Sequence, residues 1–220
     1  MLDVALTRPA GFQPGERWEY SNTNYLVLGL LIEAVTDRAI TEQVDERIVE
    51  PLGLAHTYFP APGEREIRGE HPTGYHADVP GELRDFSDMD TSFAWSAGAM
   101  VSTPSELNVF MGALLDGELL DDEMLAVMQT AVPAGDELWP GAAYGLGLQS
   151  YPLSCGGVAW GHGGDIPGTQ TRNAVGPDGT AVTIAVTALP WAIVSPDDEE
   201  KLLDQYRIVV DALDETLCDS

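Results

Sequence analysis

The chain has 220 residues, 44% of them hydrophobic, enough for the core of one domain or two small ones. Thirty-six acidic against ten basic residues leave a formal charge of -26, which repels nucleic acid and anionic membrane surfaces and argues against both as partners. The longest apolar run, Tyr25 to Ile32, falls far short of the roughly 20 residues of a bilayer span, and no export signal is visible at the N-terminus.

Pro9, Gly11, Pro14 and Gly15 mark residues 1–19 as a loop leading into Trp18. From about Thr23 the apolar residues Leu26, Leu28, Leu30, Leu31, Ala34 and Val35 predict a helix buried on most of its surface. A second helix is expected from Thr41 to Glu50, stopped by Pro51, with a turn through Gly53 to Leu54. Residues 60–92, rich in Gly, Pro, Asp and Glu, read as a long surface excursion. Thr103-Pro104-Ser105-Glu106 combines an N-cap, a proline at the first helical position and a capping-box glutamate. The helix it opens buries Leu107, Phe110, Met111, Leu114 and Leu115, and Gly117 ends it. Asp121 caps a shorter helix carrying Met124, Leu125, Val127 and Met128.

After Pro140 the pattern changes to strands at Tyr144 to Tyr151, Val158 to His162, Thr169 to Val175 and Ala181 to Leu189, the last two joined through Gly176-Pro177-Asp178-Gly179. Ser195-Pro196-Asp197-Asp198 opens a final helix with Leu202, Leu203, Tyr206, Val209, Val210 and Leu213 facing inward. The fold class is α/β of the α+β kind: a mostly helical subdomain over 1–140, then an antiparallel sheet with a terminal helix over 141–220.

Three segments carry candidate chemistry: Tyr20-Ser21-Asn22 at the mouth of the first helix, Phe93-Ala94-Trp95-Ser96-Ala97-Gly98 after the long loop, and Gly161-His162-Gly163-Gly164 on a strand. Each alone also has a purely structural reading, as a helix N-cap, a packed loop or a strand histidine. Ala94-Trp95-Ser96-Ala97-Gly98 approximates a nucleophile elbow, with His162 and Asp136 as partners in an α/β-hydrolase. That context is wrong, because Asp85 to Ser92 is too polar for the strand an elbow needs. His56, His71 and His76 are poorly spaced for a metal, and neither a metal nor a cofactor is expected. Cys155 and Cys218 are, from the residues alone, either buried thiols or one disulfide.

Five stretches in order carry a resemblance: Phe12-Gln13-Pro14-Gly15-Glu16-Arg17-Trp18-Glu19-Tyr20-Ser21-Asn22 running on to Tyr25, Ile48-Val49-Glu50-Pro51-Leu52-Gly53-Leu54, Ser96 to Thr103, Tyr144-Gly145-Leu146-Gly147-Leu148, and His162-Gly163-Gly164. Together they resemble the penicillin-recognising serine hydrolases, the β-lactamase/transpeptidase-like enzymes that include serine D-alanyl-D-alanine carboxypeptidases and class C β-lactamases. The resemblance implies a substrate that is a small molecule or peptide, with Tyr20 as proton shuttle, Asn22 as amide donor and His162 facing Tyr20 across a cleft. Proton shuttling would need a Tyr20 pKa lowered by nearby positive charge. It further implies a cleft walled by Trp95, with room beside Gly163 and Gly164 and the Asp165 backbone N–H as an oxyanion donor.

The Ser-x-x-Lys nucleophile motif of such enzymes has no match, since the sole lysine, Lys201, stands three residues after Asp198. The expectation is an N-terminally truncated hydrolase, inactive alone, whose partner is the missing N-terminal segment of its own protein, with Met1 an artificial start, a split gene or a domain boundary. A non-catalytic binding module on the same fold is the alternative. By the same resemblance, Gln149, Gly163 and Asp165 stand where the carboxypeptidases hold a terminal carboxylate with arginine and threonines; an aspartate there would repel it, so esterase, amidase, D-aminopeptidase or weak β-lactamase activity is as credible. The same resemblance favours a Cys155–Cys218 disulfide, and with it an extracytoplasmic origin.

Overall fold

The computed structural model describes residues 2–134 and 139–219. They form two compact units, one of residues up to Arg65 with Met89–Ser102, the other of Glu66–Asp88 with Thr103 onward. This division differs from the 1–140 and 141–220 expected from sequence, because the helix after Thr103 packs on the sheet.

The first unit holds α1 (Leu2–Ala5), α2 (Asn22–Thr36), α3 (Ile40–Val44) and α4 (Glu50–Leu52), with one wide i→i+5 turn, Asp45–Val49, between the last two. The helical path thus passes through Pro51 rather than stopping there. It ends at Gly53, whose φ of 64° lets the chain reverse. Ser21, in an extended conformation, starts α2 by accepting the Thr23 backbone N–H on its Oγ. Burial of α2 departs from expectation: only Leu26 and Gly29 are buried, whereas Val27, Leu28, Leu30, Leu31, Ile32 and Val35 face solvent. The apolar pattern of α2 therefore calls for more covering surface than the described residues supply.

In the second unit the long excursion contains a minimal hairpin, β1 (Tyr75–His76) with β2 (Arg84–Asp85). Thr103 caps α5 (Pro104–Leu115) by accepting from Glu106 N–H, and Asp121 caps α6 (Asp122–Met128) by accepting from Met124 N–H. Six antiparallel strands follow in sequence order: β3 (Val132–Pro133), β4 (Ala143–Tyr144), β5 (Gln149–Pro152), β6 (Val158–Ile166), β7 (Thr169–Val175) and β8 (Ala181–Val186). A short α7 (Pro190–Ile193) leads to α8 (Glu199–Cys218).

The sheet has helices on both faces. On one, Val210, Leu213 and Leu217 of α8 pack against Tyr151, Ala159 and Ala174; on the other, Met111 and Leu114 of α5 pack against Leu148 and Val175. The single strand expected over Tyr144 to Tyr151 is instead two strands joined by a tight turn. Gly147, at a φ of 80°, makes the reversal, and the Gly145 N–H donates to Leu148 O. Leu146 N–H in turn donates to Met128 O, at the end of α6, at 2.9 Å. That carbonyl lies so close to Gly145 that a Cβ there would collide with it.

Candidate active site

The first unit carries Tyr20, Asn22 and Trp95. With the Ser21 side chain turned into the helix cap, its two neighbours are left to meet each other: the Tyr20 hydroxyl donates to Asn22 Oδ1 at 2.9 Å. The Tyr20 ring lies 5.8 Å from that of Tyr25, centroid to centroid. Burial, followed by the Tyr25 phenol, raises the Tyr20 pKa above its ordinary value of 10.0, opposite to the lowering expected for a proton shuttle. The physical reason is partial desolvation beside a second phenol, for Tyr20 is still 42% exposed.

Trp95 opens a 3₁₀ turn, Trp95–Ala97, at a φ of 40°, a backbone conformation that is strained for a bulky residue. Trp95 and Ser96 fill the space that a side chain at Gly29 of α2 would occupy. The Ser96 hydroxyl donates to the Tyr25 carbonyl oxygen at 2.8 Å. Ser96 therefore anchors α2, and its 3₁₀ turn is not the strand-to-helix elbow of an α/β-hydrolase. Asp136, the acid of that rival triad, lies outside the described residues.

In the second unit β5 pairs with β6 only from Pro152↔Val158 to Gln149↔Gly161, so His162 through Ile166 run beyond the end of β5 while still paired to β7. His162 begins that stretch. Its Nδ1 meets Gly163 O at 2.6 Å, its Nε2 meets the Tyr144 hydroxyl at 2.8 Å, and its backbone N–H donates to Asn173 Oδ1 at 3.3 Å. Burial is the main influence on the ring and lowers its pKa; the Gly163 carbonyl acts in the opposite sense and the Arg172 charge lowers it further.

The two-residue period of a strand separates His162 and Gly164 from Gly163 and Asp165. Ala159, on the latter face, packs under α8, and there the Asp165 carboxylate takes both guanidinium nitrogens of Arg172, at 2.7 and 3.2 Å. Arg172 is only 9% exposed and lies over the Tyr206 ring of α8. Asp165 is thus neutralised by a bidentate partner, and the expected repulsion of a substrate carboxylate does not follow from its charge. Gln149 is on the same face, where its Oε1 accepts the Tyr151 hydroxyl at 2.8 Å. The glycines also have their own reasons. A side chain at Gly163 would meet the Arg172 guanidinium, and one at Gly164 would meet Thr171 Oγ1 at 2.9 Å.

Two residues of the candidate site escaped the sequence reading. Tyr144 was visible only as the first letter of the Tyr-Gly-Leu-Gly stretch, and Arg172 had no signal short of the β6–β7 register, which puts it opposite Gly163. Cys155 and Cys218 form a disulfide with Cα atoms 5.7 Å apart. His71 Nδ1 donates to Gly69 O, and the His76 ring rests against Phe86. Among the described residues no group of three or more His, Cys, Asp or Glu is placed to hold a metal, and no helix is long and apolar enough to cross a membrane.

The family profile described as Beta-lactamase matches residues 1–205. The structure is similar to that of a D-stereospecific amidohydrolase from Streptomyces sp., at 35% identity and a TM-score of 0.79, covering 93% of this chain and 58% of that one. It is also similar to the D-amino acid amidase of Ochrobactrum anthropi SV3 complexed with L-phenylalanine, at 26% identity and a TM-score of 0.76, covering 99% of this chain and 61% of the amidase. An Escherichia coli (strain K12) protein assigned by name to the D-alanyl-D-alanine carboxypeptidases is 27% identical over 167 residues, 66% of this chain and 38% of its own length. The chain therefore spans less than two thirds of each of these relatives.

Proposed function

Because the chain belongs to the beta-lactamase family, we propose that it is the larger part of a serine hydrolase that cleaves amides or esters through an acyl-enzyme, the nucleophilic serine and its lysine lying in a segment this chain does not contain. The observation that carries the reading is the Tyr20–Asn22 hydrogen bond at the mouth of α2, which sets a phenol that can relay a proton beside an amide that can donate to a carbonyl. Tyr20 would pass the proton from nucleophile to leaving group, and Asn22 would orient the substrate carbonyl. The Asp165 backbone N–H would donate to the oxyanion. The cation that brings the Tyr20 pKa down would be the missing lysine, since Lys201 is engaged at 2.7 Å with Asp198 at the exposed start of α8.

The proposed substrate is neutral at the end bound along β6. The Arg172 charge is spent on Asp165, and His162 is held below its ordinary pKa, so neither is a free cation for a terminal carboxylate. An amide such as a D-amino acid amide suits this better than a peptide with a free C-terminus. The partner proposed for the uncovered face of α2 is the absent part of the family fold, whose packing would bury Leu31 and Val35, 54% and 77% exposed. The disulfide suits an oxidising compartment, and we place the complete protein outside the cytoplasm. The raised Tyr20 pKa favours a second reading, a binding module that holds such ligands without reacting.

The test joins this chain, in one gene, to the portion of the Streptomyces amidohydrolase that it does not cover, and follows mass gain from a fluorescent penicillin and ammonia release from D-phenylalanine amide. We expect no adduct on the 220-residue chain alone, an adduct on the fusion, and a loss of about 100-fold or more in acylation when the fusion carries Tyr20→Phe. An adduct on the chain alone would refute the missing nucleophile. A folded fusion that binds penicillin without acylation would establish the binding module instead.

A further inference from the structure

We infer that Tyr144 is a positioning residue for His162, holding the imidazole in its Nδ1–H tautomer with the Nε2 lone pair engaged by the phenol. The bearing of this on catalysis rests on the hydrolase reading, whereas the arrangement itself lies inside one compact unit.

A proton inventory leads to it. A carbonyl oxygen has no hydrogen to give, so the 2.6 Å contact between Nδ1 and Gly163 O requires the proton to be on Nδ1. Burial keeps the ring from taking a second proton at neutral pH, so Nε2 presents a lone pair. The Tyr144 hydroxyl, 2.8 Å from Nε2, is then the donor. The two rings meet edge to face, with centroids 5.6 Å apart and planes at 78°. Arg172, on β7, is a charged group that acts on the ring, and it is fixed by Asp165; Asn173, also on β7, secures the His162 backbone.

The hairpin explains how a residue on the short β4 can do this. Tyr144 pairs with Val132 on one side and Gln149 on the other, and it is only 8% exposed. Directly after it, Gly145 lets the chain pass against the Met128 carbonyl, and Leu146 hydrogen-bonds that same oxygen. The Tyr-Gly-Leu-Gly stretch is thus a device that sets one hydroxyl against one imidazole. With His162 so held, it enters the reaction as a neutral hydrogen-bonding group and not as a resident cation.

The experiment uses the 220-residue chain labelled with ¹⁵N, with imidazole nitrogen shifts followed across pH by long-range ¹H–¹⁵N correlation. For the unsubstituted chain we expect a protonated Nδ1, an unprotonated Nε2 and a His162 pKa below 6.5. Tyr144→Phe removes the donor to the neutral form and should raise that pKa by about half to one unit, the shift attributable to one hydrogen bond. Tyr75→Phe, at an exposed tyrosine, should leave it unchanged. A proton on Nε2 in the unsubstituted chain, or a Tyr144→Phe titration that matches the unsubstituted one, overturns the inference. If Tyr144→Phe fails to fold, the tautomer of the unsubstituted chain decides alone. An inactive fusion with the Nδ1–H tautomer present would sink the hydrolase reading and leave this one standing; an active fusion with Nε2 protonated would do the reverse.

Discussion

Gly145→Ala tests whether the hairpin is held by a close backbone approach or merely tolerates a glycine. An added Cβ would collide with the Met128 carbonyl oxygen and come within 3.3 Å of the carbonyl carbon and 3.6 Å of Gln129 Cα. All three are backbone atoms at the end of α6, so no side chain can swing away. Overpacking of this kind costs about 1–3 kcal/mol, and displacing the hairpin also weakens the Leu146 to Met128 hydrogen bond, worth about 1 kcal/mol. Alanine restricts the unfolded chain and returns roughly 0.4–1 kcal/mol, leaving a net loss of about 1–3 kcal/mol. Gly112 supplies the control. It lies within α5, where an added Cβ meets nothing within 4 Å, so Gly112→Ala should stabilise by up to about 1 kcal/mol through helix propensity. Urea titrations followed by circular dichroism, with the disulfide intact, give both values. If the two substitutions move stability in the same direction, or Gly145→Ala leaves it unchanged, the close-approach account is refuted.

The disulfide closes a separation of 63 residues, for which loop-closure entropy gives about 4 kcal/mol; Cys155→Ser should lower the unfolding free energy by an amount of that order, and a change under about 1 kcal/mol would mean that packing of Leu213 and Leu217 suffices to dock α8. Stability should also fall with acidification below pH 6.5. The folded His162 has a lowered pKa, so the unfolded chain takes up a proton first as pH drops, and the contribution present above 6.5 is lost as pH falls toward the folded value. Unfolding curves from pH 7.5 downward should show this slope, and His162→Gln should remove it; a slope that survives the substitution assigns it elsewhere.

The parts legible in the sequence were those governed by near neighbours. The caps at Thr103 and Asp121 each involve a backbone N–H within three residues and occur as read, and the cap of α2, open between Ser21 and Asn22 in the sequence, falls to Ser21. The strands from Val158 and Thr169 were likewise visible in composition. The α2 face misled because an apolar pattern reports what a helix needs covered, not what the described residues supply. The break between β4 and β5 was missed because Gly145 and Gly147 were weighed as marks of resemblance and not as backbone hinges.

The candidate site divides along the same line. That Tyr20, Asn22 and His162 deserve attention was readable from motif and order. The state of each group was not: the Tyr20 phenol lies against Tyr25, His162 is met by a hydroxyl 18 residues earlier in the chain, and Asp165 is neutralised by Arg172 seven residues later across a strand pair. A side chain's protonation and charge depend on the atoms within a few ångströms, and those are chosen by strand register and helix packing. Sequence alone determined which residues are candidates for the chemistry, while tertiary structure decided which of them remain charged, which are paired, and which face of the sheet each strand residue serves.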